Sequence, residues 1–405
     1  MMNWSNPVSR SFNSTWGLKT RLRVVVIGVV VIIGFILLIS LGPRSKRALG
    51  LSEECRIPAI YNFGDSNSDT GCVSAAFRRV PYPNGISFFG KPSGRYCDGR
   101  LIIDFIAEKL GLPFLSAYLD ALQANFQHGA DFAASGTTIQ HVNGELFGSG
   151  LNPLSLDVQL LQFEGLKERT SELYAQGYKI KYRLSRLEDF SKALYTFDIG
   201  QNDIHHALTT TTEDEARKSI PDLVYQFPFA IKKLHELGAR TFWIHNTGPI
   251  GCLPYLLLKY PPNPGNVDEA GCVKSYNEVA KEFNRQLKNK ISELRTQLQN
   301  SLLVYVDIYS AKYSLVTESK KYGFVDPLGY CCKHVGNSSL HCWNKEKKNG
   351  VAVYATPCNN PSEYISWDSI HYTDAANRWV ANRISDGSLA DPPLPFSKLC
   401  KKSAL

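Results

Sequence analysis

IPAIYNFGDSNSDTG, residues 57–71, opens with a short apolar and aromatic run (57–63) that stops at a glycine and a string of small polar residues. A run of this kind suits a strand buried on both faces, because neither face offers a regular polar stripe to water. Ser66 then falls on the turn leaving the carboxyl end of that strand. Three further runs read the same way: ALYTFDI (193–199), RTFWIHN (240–246) and LLVYVDI (302–308). Between them lie helical patterns. The clearest joins Tyr276, Val279, Phe283, Leu287, Ile291, Leu294 and Leu298 at three- and four-residue spacing. Strands alternating with helices imply an α/β fold with a mainly parallel sheet covered on both sides. The stretch from Lys320 to Pro361 is dense in Cys, Gly, Pro and Asn, and it reads as a long loop region held by disulfides.

Outward from this core, the chain of 405 residues divides into a tail (1–23), an apolar segment (24–42), a short stem (43–54) and one large domain (55–400). The segment VVVIGVVVIIGFILLISLG carries no charge over residues 24–42 and as a helix would span about 28 Å, close to the hydrocarbon thickness of a bilayer. It exceeds the apolar core of a cleaved signal and is followed by PRSKR rather than a small-x-small site, so it is expected to remain as a transmembrane anchor. The formal charge of +8 is uneven. Arg10, Lys19, Arg21, Arg23, Arg44, Lys46 and Arg47 stand before residue 48 without an acidic neighbour, leaving the domain near neutrality. A near-neutral domain argues against nucleic acid as a partner.

All ten cysteines (Cys55, Cys72, Cys97, Cys252, Cys272, Cys331, Cys332, Cys342, Cys358 and Cys400) follow the apolar segment, without the CxxC pairs of a metal site. They fit disulfides in an oxidising lumen, one or two remaining as buried thiols, and so point to a single-pass type II orientation. Of the sequons at Asn3, Asn13 and Asn337, only Asn337 then lies on the side where glycans are added.

A serine hydroxyl is a weak nucleophile at neutral pH, so a reactive Ser66 needs a base, and the base needs an orienting partner. WDSIHYT (367–373) supplies Asp368 and His371 three residues apart, close enough for the carboxylate to fix the tautomer of the imidazole. In HGADFAASGTT (128–138) Gly136 sits in a turn of small residues, where the missing Cβ lets a backbone N–H approach a ligand. In DIGQND (198–203) Gly200 opens another turn and Asn202 offers an amide. The N–H groups of Ser66 and Gly136 with the Asn202 amide would supply three donors to an oxyanion. Asp203 is expected to orient backbone, and His205 and His206 to mark a solvated helix start. No GxSxG elbow or zinc HExxH motif is present, so no cofactor or metal is expected.

In this order the four segments resemble the characteristic blocks of the plant GDSL esterase/lipase family, within the SGNH hydrolases. The likeness covers residues 55–390 and includes SGRYCDGRLIIDFIAEKLGLP (93–113) and NTGPIGCLP (246–254). It implies a three-layer α/β/α sandwich of flavodoxin-like type, Ser66 as nucleophile with Asp368 and His371, and an oxyanion hole from Ser66, Gly136 and Asn202. Two positions depart from the family pattern: Asn67 stands in place of the usual Leu, and Cys72 where Asn is frequent. The block spellings look most like the subgroup with Golgi xylan and arabinoxylan deacetylases. The expected substrate is therefore an acetylated cell-wall polysaccharide, and the expected place the Golgi membrane, with a secreted or wall protein as the alternative. Longer-chain lipase or acyltransferase activity, and non-catalytic carbohydrate binding on the same fold, are the competing readings. A glycosidase would need two opposed carboxylates.

Overall fold

In the computed structural model, the described residues are 56–141, 150–177, 182–333, 342, 345–348 and 350–399. The apolar segment 24–42, the tail and stem around it, Cys400 and the Asn337 sequon lie outside them, as does Cys55.

The central sheet has six strands: β1 (Ile60–Gly64), β2 (Gly129–Asp131), β3 (Leu194–Asp198), β4 (Thr241–His245), β5 (Leu302–Val306) and β6 (Ala390–Asp391). Their spatial order is β6-β5-β4-β3-β1-β2, with β1 to β5 parallel and β6 antiparallel at the edge. The order 2-1-3-4-5 is that of the flavodoxin-like doubly wound fold, whose ligand crevice lies where the strand order reverses. Here the reversal falls between β1 and β3.

Alternation along the strands builds two cores. Tyr61, Phe63, Tyr195, Phe197, Phe242, Ile244, Leu303 and Tyr305 bury against one helical layer. That layer comprises α2 (Leu156–Ala175), α4 (Glu213–Glu236) and α6 (Lys274–Gln297), and α4 packs on both of its neighbours. Ile60, Leu194, Trp243, Val304 and Val306 face the opposite way. There they meet α1 (Ile102–Lys109), α7 (Ile308–Thr317) and α8 (Asp374–Ser385). Two shorter helices, α3 (Gln201–Thr210) and α5 (Pro254–Lys259), stand beside the carboxyl edge of the sheet. The three-layer sandwich is the expected one.

The stretch 320–361 differs from the loop the composition suggests. Asp326–Tyr330 pairs in parallel with Tyr364–Ser366, and Lys345–Lys348 forms a hairpin with Val351–Tyr354. Disulfides do brace it: Cys331 bonds Cys358, and Cys332 bonds Cys342. A third joins Cys252 to Cys272, while Cys72 and Cys97 are buried thiols.

Candidate active site

The four polar segments reach the carboxyl edge of the sheet by separate routes. After β1, the Asp65 N–H continues the ladder by donating to the Asp198 carbonyl at 3.2 Å. The Ser68 and Asp69 N–H groups then turn back onto the Asp65 carbonyl at 3.1 and 3.0 Å. This tight turn carries Ser66, which is buried. Gly64 is needed beneath it, because a Cβ there would lie 2.5 Å from the Asp198 carbonyl oxygen. Asn67 acts locally, its N–H and its Nδ2 each donating to Asp65 Oδ1 at 2.9 Å.

Gly136 has φ +83°, and a Cβ on it would meet the Gly150 carbonyl at 2.4 Å, so the turn requires glycine. Asp69 fixes this turn to the first one. One carboxylate oxygen accepts from the Gly71 and Cys72 N–H groups at 2.8 and 2.6 Å, and the other from Ser135 at 2.9 Å. Burial nevertheless pushes its pKa up to about 6. Gly200, at φ +116°, opens α3. From the first turn of that helix Asn202 Nδ2 donates to the Thr137 carbonyl at 2.8 Å. Asp203 accepts from the Ile139 N–H at 2.9 Å and from Gln140 at 3.2 Å, orienting backbone as its position suggests. Among the described residues no protein group accepts from the N–H of Ser66 or of Gly136.

Asp368 Oδ2 lies 2.6 Å from His371 Nδ1, and Oδ1 accepts from the His371 and Ile370 N–H groups at 2.8 and 3.0 Å. The Asp368 side chain is fully shielded and that of His371 nearly so. A carboxylate against Nδ1 holds the proton there and leaves Nε2 as the basic nitrogen. Between them Ser369 adopts φ 82°, alone among the described non-glycine residues in having a positive φ. Its carbonyl accepts from the Tyr255 N–H at 3.0 Å, which pins the bend to α5. His371 packs 5.3 Å from the Tyr96 ring.

The structure corrects the reading of His205. It is not a solvated helix start: its Nε2 is buried without a hydrogen-bond partner, its ring lies 5.6 Å from Tyr255, and burial lowers its pKa to about 4. Sequence reasoning also missed Asp131. Its carboxylate accepts from the Asn62 amide at 2.6 Å and from the Thr70 N–H at 2.6 Å, and burial, with Asp69 nearby, raises its pKa to about 8. Asp69, Cys72 and Asp131 bring possible ligand atoms within 4.8 Å of one another. The carboxylates already accept from backbone and amide donors, and burial holds the Cys72 thiol protonated, so this group ties loops together and does not suit a cation.

A flavodoxin-order sheet with these four segments gathered at its carboxyl edge defines an SGNH-type hydrolase. The chain belongs to the GDSL-like lipase/acylhydrolase family, whose model matches residues 60–384. It is similar to a GDSL esterase/lipase of Arabidopsis thaliana, 50% identical over 357 residues and covering 88% of this chain and 94% of that one. It is also similar to an esterase of Hevea brasiliensis, at 46% identity over 87% of this chain and 91% of that protein. A relative of Arabidopsis thaliana named alpha-L-fucosidase 3 is 44% identical, covering 90% of this chain and 96% of that one. The protein is a GDSL-type carboxylic ester hydrolase.

Proposed function

We propose that Ser66 is the nucleophile of this hydrolase, His371 its general base and Asp368 the orienting carboxylate. The observation that carries the reading is the shielded Asp368–His371 pair at 2.6 Å, the arrangement that a general base and its orienting carboxylate require. In the first step His371 Nε2 takes the Ser66 proton as Oγ bonds to the ester carbon. The same proton then leaves with the alcohol, and water repeats the sequence on the acyl-serine. The Ser66 and Gly136 N–H groups and the Asn202 amide meet the oxyanion. Only one Asn202 amide hydrogen is engaged by Thr137, so the second is available for that purpose.

The substrate is an O-acetyl group on a cell-wall polysaccharide such as xylan or arabinoxylan. The catalytic domain works in the Golgi lumen, held by a transmembrane anchor at 24–42, with Asn337 glycosylated. Three disulfides among the described residues support an oxidising compartment. The test is incubation of acetylated xylan oligosaccharides with the purified protein and with Ser66→Ala. Wild type should release acetate, leave the glycosidic links intact and react with a serine-directed phosphonate, whereas Ser66→Ala should neither release acetate nor react with the phosphonate. Shortened sugars, or acetate release undiminished in Ser66→Ala, would overturn the assignment.

A further inference from the structure

The loop that carries Asp368 and His371 is joined to the helix that carries Asn202 by side chains that the reaction above does not use. α5 follows closely on the Cys252–Cys272 bond, which fixes its start. From its second residue the Tyr255 N–H donates to the Ser369 carbonyl, between Asp368 and His371, at 3.0 Å. The Tyr255 ring in turn lies 5.6 Å from that of His205. His205 stands three residues after Asn202 on α3, and residues so spaced share one face of a helix. Tyr255 thus touches both the loop of the base and the helix of the oxyanion donor.

The same ring has a polar edge. One turn along α5, Lys259 Nζ donates to the Tyr255 hydroxyl at 2.7 Å and stands 5.2 and 5.5 Å from the centres of the Tyr255 and Tyr260 rings. Because the phenol accepts that bond, its own O–H remains a donor, and the ammonium has two further hydrogens to give. His205 contributes a ring face and no charge, since burial lowers its pKa to about 4. Tyr255 and Tyr260 are half-buried and Lys259 is exposed, so this surface can meet a ligand. Tyr96, the other ring against His371, is only 4% exposed and cannot. Aromatic faces edged by hydroxyl and ammonium donors suit a sugar, which presents C–H faces and hydroxyl acceptors together. An alkyl chain laid there would desolvate the ammonium with nothing in return.

Resting on the residue roles and the sugar ester proposed above, we propose that Tyr255, with Lys259 and His205 beside it, is the specificity-determining wall that receives the alcohol part of the ester. His371 Nε2 hands its proton to the departing alcohol oxygen, so that oxygen comes within hydrogen-bond reach of the imidazole. The group it carries then falls against the loop 368–371, while Asn202 holds the carbonyl from the α3 side. Tyr255 is the half-buried ring in contact with both. The sugar ring lies on Tyr255, and its hydroxyls accept from the phenol and from Lys259.

The experiment measures acetate release from acetylated xylo-oligosaccharides and from ethyl acetate, whose alcohol is too small to use such a wall. The proteins are the full-length wild type, Tyr255→Ala, Tyr255→Trp and Lys259→Met, with folding checked by thermal unfolding. Every variant keeps the backbone N–H that holds Ser369, so the side chain is tested apart from the loop. Tyr255→Ala should lower kcat/KM for the sugar ester relative to ethyl acetate by about tenfold, chiefly through KM. Tyr255→Trp, which keeps a ring and a donor, should restore most of that ratio, and Lys259→Met should lower it about threefold. A ratio unchanged in Tyr255→Ala, or a loss through kcat alone and equal on the two esters, would overturn the proposal. If Tyr255→Ala fails to fold, an unchanged ratio in Lys259→Met, at an exposed position, overturns it instead. A wild type that cleaves ethyl acetate but releases no acetate from the oligosaccharide would remove the sugar-ester reading on which the proposal stands.

Discussion

Asn202 combines two roles that a polar side chain in an active site can fill at once. One amide hydrogen ties α3 to the Thr137 carbonyl, and in the mechanism proposed above the other donates to the oxyanion. Asn202→Ala should therefore lower kcat by on the order of 10² to 10³, about 2.7 to 4 kcal/mol of transition-state stabilisation, with a smaller change in KM. Steady-state kinetics on an acetyl ester measures the split, and a loss confined to KM would deny Asn202 an oxyanion role. Ser66→Ala and His371→Ala should each remove nearly all turnover, and the double variant little more, since such residues act as one unit. At this scale the sequence was legible where a motif joined two residues of known chemistry, as in Asp368 and His371. It was not legible where the partner comes from a distant segment. Nothing around Asp131 in HGADFAASG foretells a carboxylate received by Asn62 and Thr70 from the β1 side. Nor does the pair at 205–206 reveal which histidine will have its ring nitrogen shielded by the tertiary fold.

Among the elements, the four runs chosen as strands coincide with β1, β3, β4 and β5 to within three residues at each end, and the helix expected over 276–298 is α6 (Lys274–Gln297). These are long or fully buried elements whose periodicity leaves little choice. The strand β2 is three small and acidic residues, Gly129–Asp131, fixed by pairing with Ile60–Asn62, and local propensity has nothing to register there. The region after α7 was opaque for a related reason, since its parallel pairing with Tyr364–Ser366 is long-range. The candidate site rests on that pairing. The Cys331 N–H donates to the Ser366 carbonyl at 3.1 Å and the Cys332 N–H to that of Trp367 at 2.6 Å, immediately before Asp368. The Cys331–Cys358 bond therefore braces the platform that presents the Asp368–His371 pair. Replacing both cysteines by alanine should cost about 2 to 5 kcal/mol of stability, and should lower kcat of the still-folded protein by loosening that pair. Thermal unfolding and kinetics below the new transition check both effects, and unchanged kcat would restrict the disulfide to a stabilising role.

For the whole molecule, the type II arrangement proposed here predicts that protease added to sealed microsomes trims only residues 1–23, whereas digestion of the domain would reverse the orientation. A second prediction comes from the buried acids. Burial pushes Asp65 up to about 7, Asp69 to about 6, Asp131 to about 8 and Asp203 to about 6, against an ordinary 3.8. Each keeps its proton in the folded chain where the unfolded chain has released it. Between about pH 4 and pH 8 the folded state thus binds more protons through these groups, and their contribution to stability falls as pH rises. His205 works in the opposite sense, because burial lowers it from 6.5 to about 4 and only the unfolded state takes up its proton in that interval. The two effects oppose each other below about pH 6.5, while above it the acids act without that opposition. Asp131 and Asp65 then dominate, since their folded values lie highest. The Tm should fall by a few degrees between about pH 6.5 and pH 8, taking roughly 1 to 2 °C per kcal/mol from an unfolding entropy of about 2.1 cal/mol/K per residue. Asp131→Asn, which keeps the shape but carries no proton to lose, should flatten that fall even if it lowers the Tm throughout. A Tm that rises with pH across this interval would mean that the buried acids are ionised in the native state, each held by its backbone and amide donors strongly enough to offset its burial.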